Sequence, residues 1–373
     1  MSSRRLDALR TLPLWLPSYA TVRLRELAGG NRSNVARLWV MIADHFEPWW
    51  RSPDERTALE RVDRWITRWP RLAARHADAK GRPPCYTFFY PEEQYHGAAI
   101  DRLTRLVDLD IADVEVHLHH DADSADAFVD RLWQFIDRLH VTHGLLRRDR
   151  TGIRFGFIHG NWALDNSLPG GRACGLNNEI TLLGRLGCYA DFTLPAAPSP
   201  AQTRMVNTIY WATDDPARPK SHDTGVPVTA GGDVTGNLLM IPGPLALNLR
   251  EWCRPLTPRM EVGELAGHAW PSRHRVALWR RAAPRIGDDV FIKLFAHGAP
   301  EKNAEPLLAD DGVLDRTLRY LKEDCERSGT QLFFVSAWHM RTAIDAIRRG
   351  VHPVVAVDGT WRLRRPLRTG AAS

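Results

Sequence analysis

Along the chain, two spacings of apolar positions alternate. Short apolar, β-branched or aromatic runs stop abruptly in polar residues, and between them lie stretches whose apolar residues recur every three or four positions. The runs predict strands over Arg37 to Ala43, Cys85 to Tyr90, Val114 to His119, Ile153 to His159, Tyr189 to Leu194, Val290 to Ala296 and Gln331 to Ser336. Between the first two, Ser52 or Asp54 is placed to cap a helix carrying Leu59, Val62, Ile66 and Trp69 on one side. A second helical stretch starts at Ser124, and a third runs from Asn177 to Gly187, a C-cap glycine. Strand and helix in alternation imply βα units around a mostly parallel sheet or barrel.

From Pro195 to about residue 285 the spacing gives way to Pro, Gly, Asp and Thr, with two β-like runs, Val206 to Ala212 and Gly236 to Pro242. This stretch is expected to be a rim insertion in one domain spanning residues 1–373. The end, "HPVVAVDGTWRLRRPL", has Asp-Gly between two β-like runs and predicts a C-terminal hairpin. The first 35 residues form an extension. Its apolar part is short and interrupted by Pro13 and Pro17, which predicts an interfacial or docking segment rather than an export signal. No apolar run reaches membrane-spanning length.

Composition narrows the function classes. With 44% hydrophobic and 25% charged residues, the chain is close to the globular average, and its formal charge of +6 is dispersed instead of forming a stripe. No helix-turn-helix, RNA-binding or zinc-finger signature accompanies it, so nucleic acid is not expected as a partner. Five scattered cysteines without a C-x-x-C pair argue against a disulfide framework and for a reducing, cytoplasmic compartment. The 14 tryptophans suit packing individually and sugar stacking as a group.

The chemistry gathers where the predicted strands end. The first stops in "ADHFE" (Asp44, His45, Glu47), the third in "HLHHD" with Asp123 two residues on, and the fourth in "FIHGNW" (His159, Asn161, Trp162). The fifth carries Asp191 and the sixth ends at His297. Parallel βα folds bind ligands at this edge. Apolar strands that repeatedly end in His or Asp need partners for those groups, and a shared metal satisfies several at once. In an extended strand His117 and His119 point to one side while His120 points away. A His and carboxylate set suits a divalent ion, Zn foremost, with Fe, Mn, Co and Ni as alternatives. Around a metal-bound water, Asp44 is placed as the base and His297 as the acid, which describes a hydrolase. No G-x-S-x-G, Walker or G-x-G-x-x-G fingerprint supports other chemistry.

The order of these motifs resembles the NodB-type polysaccharide deacetylase superfamily. "ADHFE" is similar to its first motif, normally two adjacent aspartates serving as base and metal ligand, with His45 in place of the second. "PPCYTFFYPEEQY" is similar to its second-strand signature, "VEVHLHHD" to its metal-binding motif, and "IKLFAHGA" to the late strand whose His assists the leaving group. "FGFIHGNWALDNS" and "FFVSAWHMRTAI" resemble a subgroup found with bacterial exopolysaccharide synthesis genes. The resemblance implies a distorted seven-stranded (β/α) barrel and removal of an N- or O-acetyl group from a polysaccharide or its precursor. It implies Asp44 as base, with Asp191 a further catalytic residue, His297 as acid, and metal ligands drawn from His45, His117, His119, Asp121 and Asp123. His159, Asn161, Trp162 and Glu179 are then expected to contact substrate. The partner expected is a glycan, with association to a membrane-peripheral synthesis complex at the inner face of the membrane.

Two alternatives stand beside this reading. One is a glycoside hydrolase of related barrel architecture using two carboxylates among Glu47, Glu179 and Asp191. The other is a glycan-binding barrel without catalysis.

Overall fold

The structure, a computed structural model, describes residues 3–28, 35–254 and 257–361. Its centre is a large, mostly parallel sheet in a mixed α/β fold. Strand Arg37–His45 lies in the middle, paired in parallel along one edge with Asp289–Ala296. Its other edge pairs with Gln331–Phe334 over Arg37 to Val40 and with Tyr86–Pro91 over Ile42 to His45. From there the sheet continues through Ala112–Leu118, Gly152–His159, Cys188–Asp191 and Leu238–Met240, all parallel.

Alternation along these strands separates two layers of core. Val40, Ile42, Phe88, Val114 and Val116 face outward and pack with Val62, Trp65, Ile100 and Leu103 of the surrounding helices. Trp39, Met41, Ala43, Phe89, Ile158, Phe291 and Phe295 face inward and pack with Met340 and Ile344. Helix Glu55–Ala73 begins at Asp54, whose carboxylate accepts from Thr57 N–H, and helix Glu179–Leu186 ends at left-handed Gly187.

Three expectations change. Among the described residues the strand ladder is an open path that branches at Arg37–His45, so backbone pairing does not close a seven-stranded ring. The C-terminal hairpin is replaced over Pro353–Trp361 by a helix; the rest of that segment lies outside the described residues. Pro353 opens this helix, Val354 and Val357 face the inner core one turn apart, and Trp361 stacks on His339, a helical spacing that outweighs the Asp-Gly turn signal. The strand expected over Tyr189 to Leu194 stops at Asp191, because the Asp191 carboxylate accepts from both Thr193 N–H and Thr193 Oγ1 and turns the chain.

The insertion is stitched to the body. Its hairpin, Ala246–Arg254 with Thr257–Glu261, is held through Glu261, which takes two hydrogen bonds from Arg275 and one from Trp279 Nε1. Trp15 of helix Ser3–Ala28 is fully buried against Ala197, Val206 and Leu245, so the N-terminal extension docks on this insertion. Among the described residues no helix is long and apolar enough to cross a membrane.

Candidate metal centre

Two buried clusters of metal-ligating side chains form at the carboxyl edge of the sheet, and the pleat decides which residues enter each. His45 shares the inward direction of Trp39, Met41 and Ala43, and His117 projects inward beside Glu115. With Glu47, two residues past the strand end, they place one ligand atom each within 4.8 Å of one another. Glu47 Oε1 lies 3.4 Å from His117 Nε2. His297, at the end of the neighbouring strand, stacks on His45 at 4.7 Å between ring centroids.

The tautomers suit an ion. His117 Nδ1 is 2.8 Å from the Ile158 carbonyl oxygen, which only accepts, so Nδ1 carries the proton and Nε2 offers its lone pair to the cluster. Burial, reinforced by the charges of His297 and His117, pushes His45 well below the ordinary imidazole range, keeping it neutral as a ligand must be. Burial pushes Glu47 up, but a proton on His117 Nε2, through its hydrogen bond and charge, and the charges of His119 and His297 prevail and leave it lowered; an ion at the cluster would displace that proton.

His119 stands at the mouth. Its side chain is 31% exposed, its Nδ1 lies 2.5 Å from Glu93 Oε1, and its Nε2 turns toward Glu47 Oε1 at 3.5 Å. Burial lowers its pKa, yet Glu93 and Glu47 reverse that and leave it raised. Gly160 lies directly beneath: a Cβ there would sit 2.2 Å from His119 Cδ2, so only glycine allows this ring position.

Two openings lie beside the cluster and share His297. A cleft of about 880 Å³ is lined by Asn161, Trp162, Arg172, Phe295 and His297, and one of about 490 Å³ by Glu47, Trp50 and Asn303. Glu264, His268, His297 and Lys302 border both. Trp162 reaches within 6.5 Å of the His45 ring, and both it and Asn161 adopt positive φ, 56° and 54°, a strain often found at ligand sites.

Several residues stand elsewhere than expected. Asp44, one position from His45, faces the outer layer, where its carboxylate accepts from Gly298 N–H and Tyr86 Oη–H, both at 2.7 Å, beside Trp65. Burial, opposed by those two hydrogen bonds, raises its pKa to about 7. It is not in the cluster, because neighbouring positions on a strand project to opposite faces. Asp191 is closed on Thr193, with a pKa raised by burial to about 7. Asp121 caps Ala173 N–H at the surface, and Asp123 pairs with Arg131, so neither joins His45 and His117. His159 and Glu179, expected at the substrate, are fully buried in the second cluster with His120 and Cys174. Glu93, Glu264, His268 and Lys302 were not singled out from the sequence, since a lone charged residue outside the strand ends carries no pattern of its own.

No protein-family model matches the chain, and no curated protein matches it. Among solved structures it is similar to a GH57 branching enzyme from the hyperthermophilic archaeon Thermococcus kodakaraensis, determined in complex with glucose. The identity is 12%, the TM-score 0.34, and the match covers 85% of this chain and 69% of that one. At that score the likeness leaves the chemistry to be argued from the site.

Proposed function

We propose that the chain is a metal-dependent hydrolase acting on a carbohydrate, with a divalent ion held by His45, Glu47 and His117 at the floor of the double cleft. The observation that carries this reading is the convergence of those three buried side chains beside the clefts, with Glu47 lining the smaller opening and His297, stacked on His45, lining both. Two neutral imidazoles and a carboxylate fit Zn and its neighbours while leaving a coordination position for water. Such an ion supplies Lewis acidity toward a carbonyl and a water ionised near neutral pH.

The protein's own groups take the proton steps. Glu93 holds the Nδ1 proton of His119, so Nε2 faces the site as an acceptor and takes the role first expected of Asp44. His297 borders both openings and donates to the leaving oxygen or nitrogen from the opposite wall. Trp162, Trp50 and Phe295 supply apolar faces beside Asn161 and Arg172, a mixture that suits a glycan. The bond cut under this reading is an acyl bond, an N- or O-acetyl group. A second reading keeps the carbohydrate and changes the bond: Glu47 and Glu264 line the same opening and form a carboxylate pair for glycoside hydrolysis.

The test is metal content together with release of acetate and of reducing ends from acetylated oligosaccharides. Metal and acetate, both lost in His45→Ala, are expected. Reducing ends without acetate would select the glycosidase reading, and neither product from metal-loaded protein would overturn both.

A further inference from the structure

The second cluster is sealed. His120, His159, Cys174 and Glu179 bring one ligand atom each within 4.8 Å, and no member is more than 6% exposed. His120 follows strand Ala112–Leu118, His159 ends strand Gly152–His159, Glu179 opens helix Glu179–Leu186, and Cys174 lies in the loop between.

Hydrogen bonding exposes a conflict. His159 Nδ1 lies 2.5 Å from the Gly160 carbonyl oxygen, so Nδ1 bears the proton and Nε2 the lone pair. That Nε2 is buried, has no hydrogen-bond partner among the described residues, and points at Glu179 Oε1 3.5 Å away. Two acceptors thus face each other in a space without solvent, an arrangement that costs free energy until a cation stands between them. His120 Nε2 lies 3.3 Å from the same oxygen, while its Nδ1 turns toward Asp123 Oδ2, also at 3.3 Å. That Nδ1 is likewise buried without a hydrogen-bond partner among the described residues, so the carboxylate stands behind the ring without bonding it. Cys174 Sγ accepts N–H from Asn166 and from Leu176, both at 3.4 Å, and lies 3.3 Å from Glu179 Oε2. Burial and the Glu179 charge hold the thiol protonated, opposed by these two backbone donors, which stay aimed at the sulfur when a cation takes the proton's place. Fully buried His222, neither of whose ring nitrogens has a hydrogen-bond partner among the described residues, interacts electrostatically with Glu179 and His159.

We propose that these four residues form a structural zinc site, separate from the cleft centre. Two imidazoles, one thiolate and one carboxylate complete a four-coordinate shell with no position left for water. A divalent ion with two anionic ligands is neutral overall, which suits burial; binding releases the Cys174 thiol proton to solvent. The site ties two strand ends to a helix and to the loop that carries Asn161 and Trp162 into the cleft. Gly175 permits the closure, because at φ +106° its missing Cβ would sit 2.5 Å from Asp123 N.

The test uses the full chain, stripped of metal and reloaded with Co(II). Only a cysteine-containing site gives a near-ultraviolet sulfur-to-cobalt charge-transfer band, and the cleft centre contains no cysteine. The wild type and His45→Ala are expected to show the band, and Cys174→Ser to lose it together with one metal equivalent. A band that persists in Cys174→Ser, or bound cobalt without any band in the wild type, would overturn the proposal. The wild-type spectrum decides even if the serine variant fails to fold. Failure of the cleft proposal reads differently, as one equivalent with the band intact.

Discussion

The two clusters share one strand, Ala112–Leu118 with the residues after it, yet differ in what surrounds them. Glu47 opens onto a cleft, His45 and His117 lie buried beside it, His119 is 31% exposed, and His297 lines both openings. His120, His159, Cys174 and Glu179 are enclosed between sheet and helix, with His159, Cys174 and Glu179 at 0% exposure. On the proposals made above, similar ligand chemistry serves turnover where a position is left open and cohesion where none is. The strand pleat makes the division: His117 and His119 face inward while His120 turns away, and Ile158 supports the first cluster through its carbonyl while His159 enters the second.

The largest effect expected is on turnover. His45→Ala removes the cleft ion and abolishes hydrolysis while the thermal midpoint stays near that of the wild type; a large drop in the midpoint would assign the open cluster a structural role. His119→Ala is expected to lower kcat by about 10²–10⁴-fold, the range for loss of a general base, with metal content unchanged. Loss of metal in this variant would make His119 a ligand.

For the sealed cluster the readout is stability. Glu179→Ala removes the carboxylate that His120 and His159 face and the acceptor of the Asp165 N–H, and a loss of about 3–5 kcal/mol is expected from urea midpoints. A variant as stable as the wild type would erase the distinction between the clusters.

Smaller changes sharpen the picture. Glu93→Gln is expected to cost about 10–100-fold in activity, as removal of a residue supporting a histidine does. It also removes what raises the His119 pKa. Because a base works when deprotonated, the acidic limb of kcat/KM shifts to lower pH; an unshifted limb would exclude His119 as the base. Asp44→Asn keeps the Gly298 N–H acceptor and is expected to cost only about 1–3 kcal/mol of stability, with turnover largely kept. Complete loss of turnover with metal and fold retained would return Asp44 to the reaction.

In the insertion, burial raises Glu261 but its bonds to Arg275 and Trp279 prevail and leave it lowered. A depressed carboxyl stabilises above its unfolded pKa, so this contribution fades as pH falls below about 4.5. Thermal midpoints of Glu261→Gln should therefore depend less on pH in that acid range than those of the wild type.

Much of this was legible in the residues themselves. Apolar runs located the parallel strands, Asp54 and Gly187 marked helix boundaries, and strand ends rich in His and Asp located the edge where both ligand clusters form. The pleat that separates His117 from His120 applies equally to Asp44 and His45, so the outward turn of Asp44 was within reach of the sequence. Cys174 was not: it lacks a paired cysteine and meets His120 only because a loop folds back 54 positions along the chain. Pro353–Trp361 likewise shows a turn signal yielding to packing, because Val354, Val357 and Trp361 find apolar partners only in the assembled inner core.

Local sequence thus determined periodicity, caps and the edge at which ligands gather, since those depend on neighbouring residues and the geometry of the backbone. Tertiary structure alone decided which side chains share a cluster, which cluster stays open, and that the strand ladder runs open. Those outcomes depend on distances between residues remote in the chain, and solvent exclusion is a property of everything packed around them.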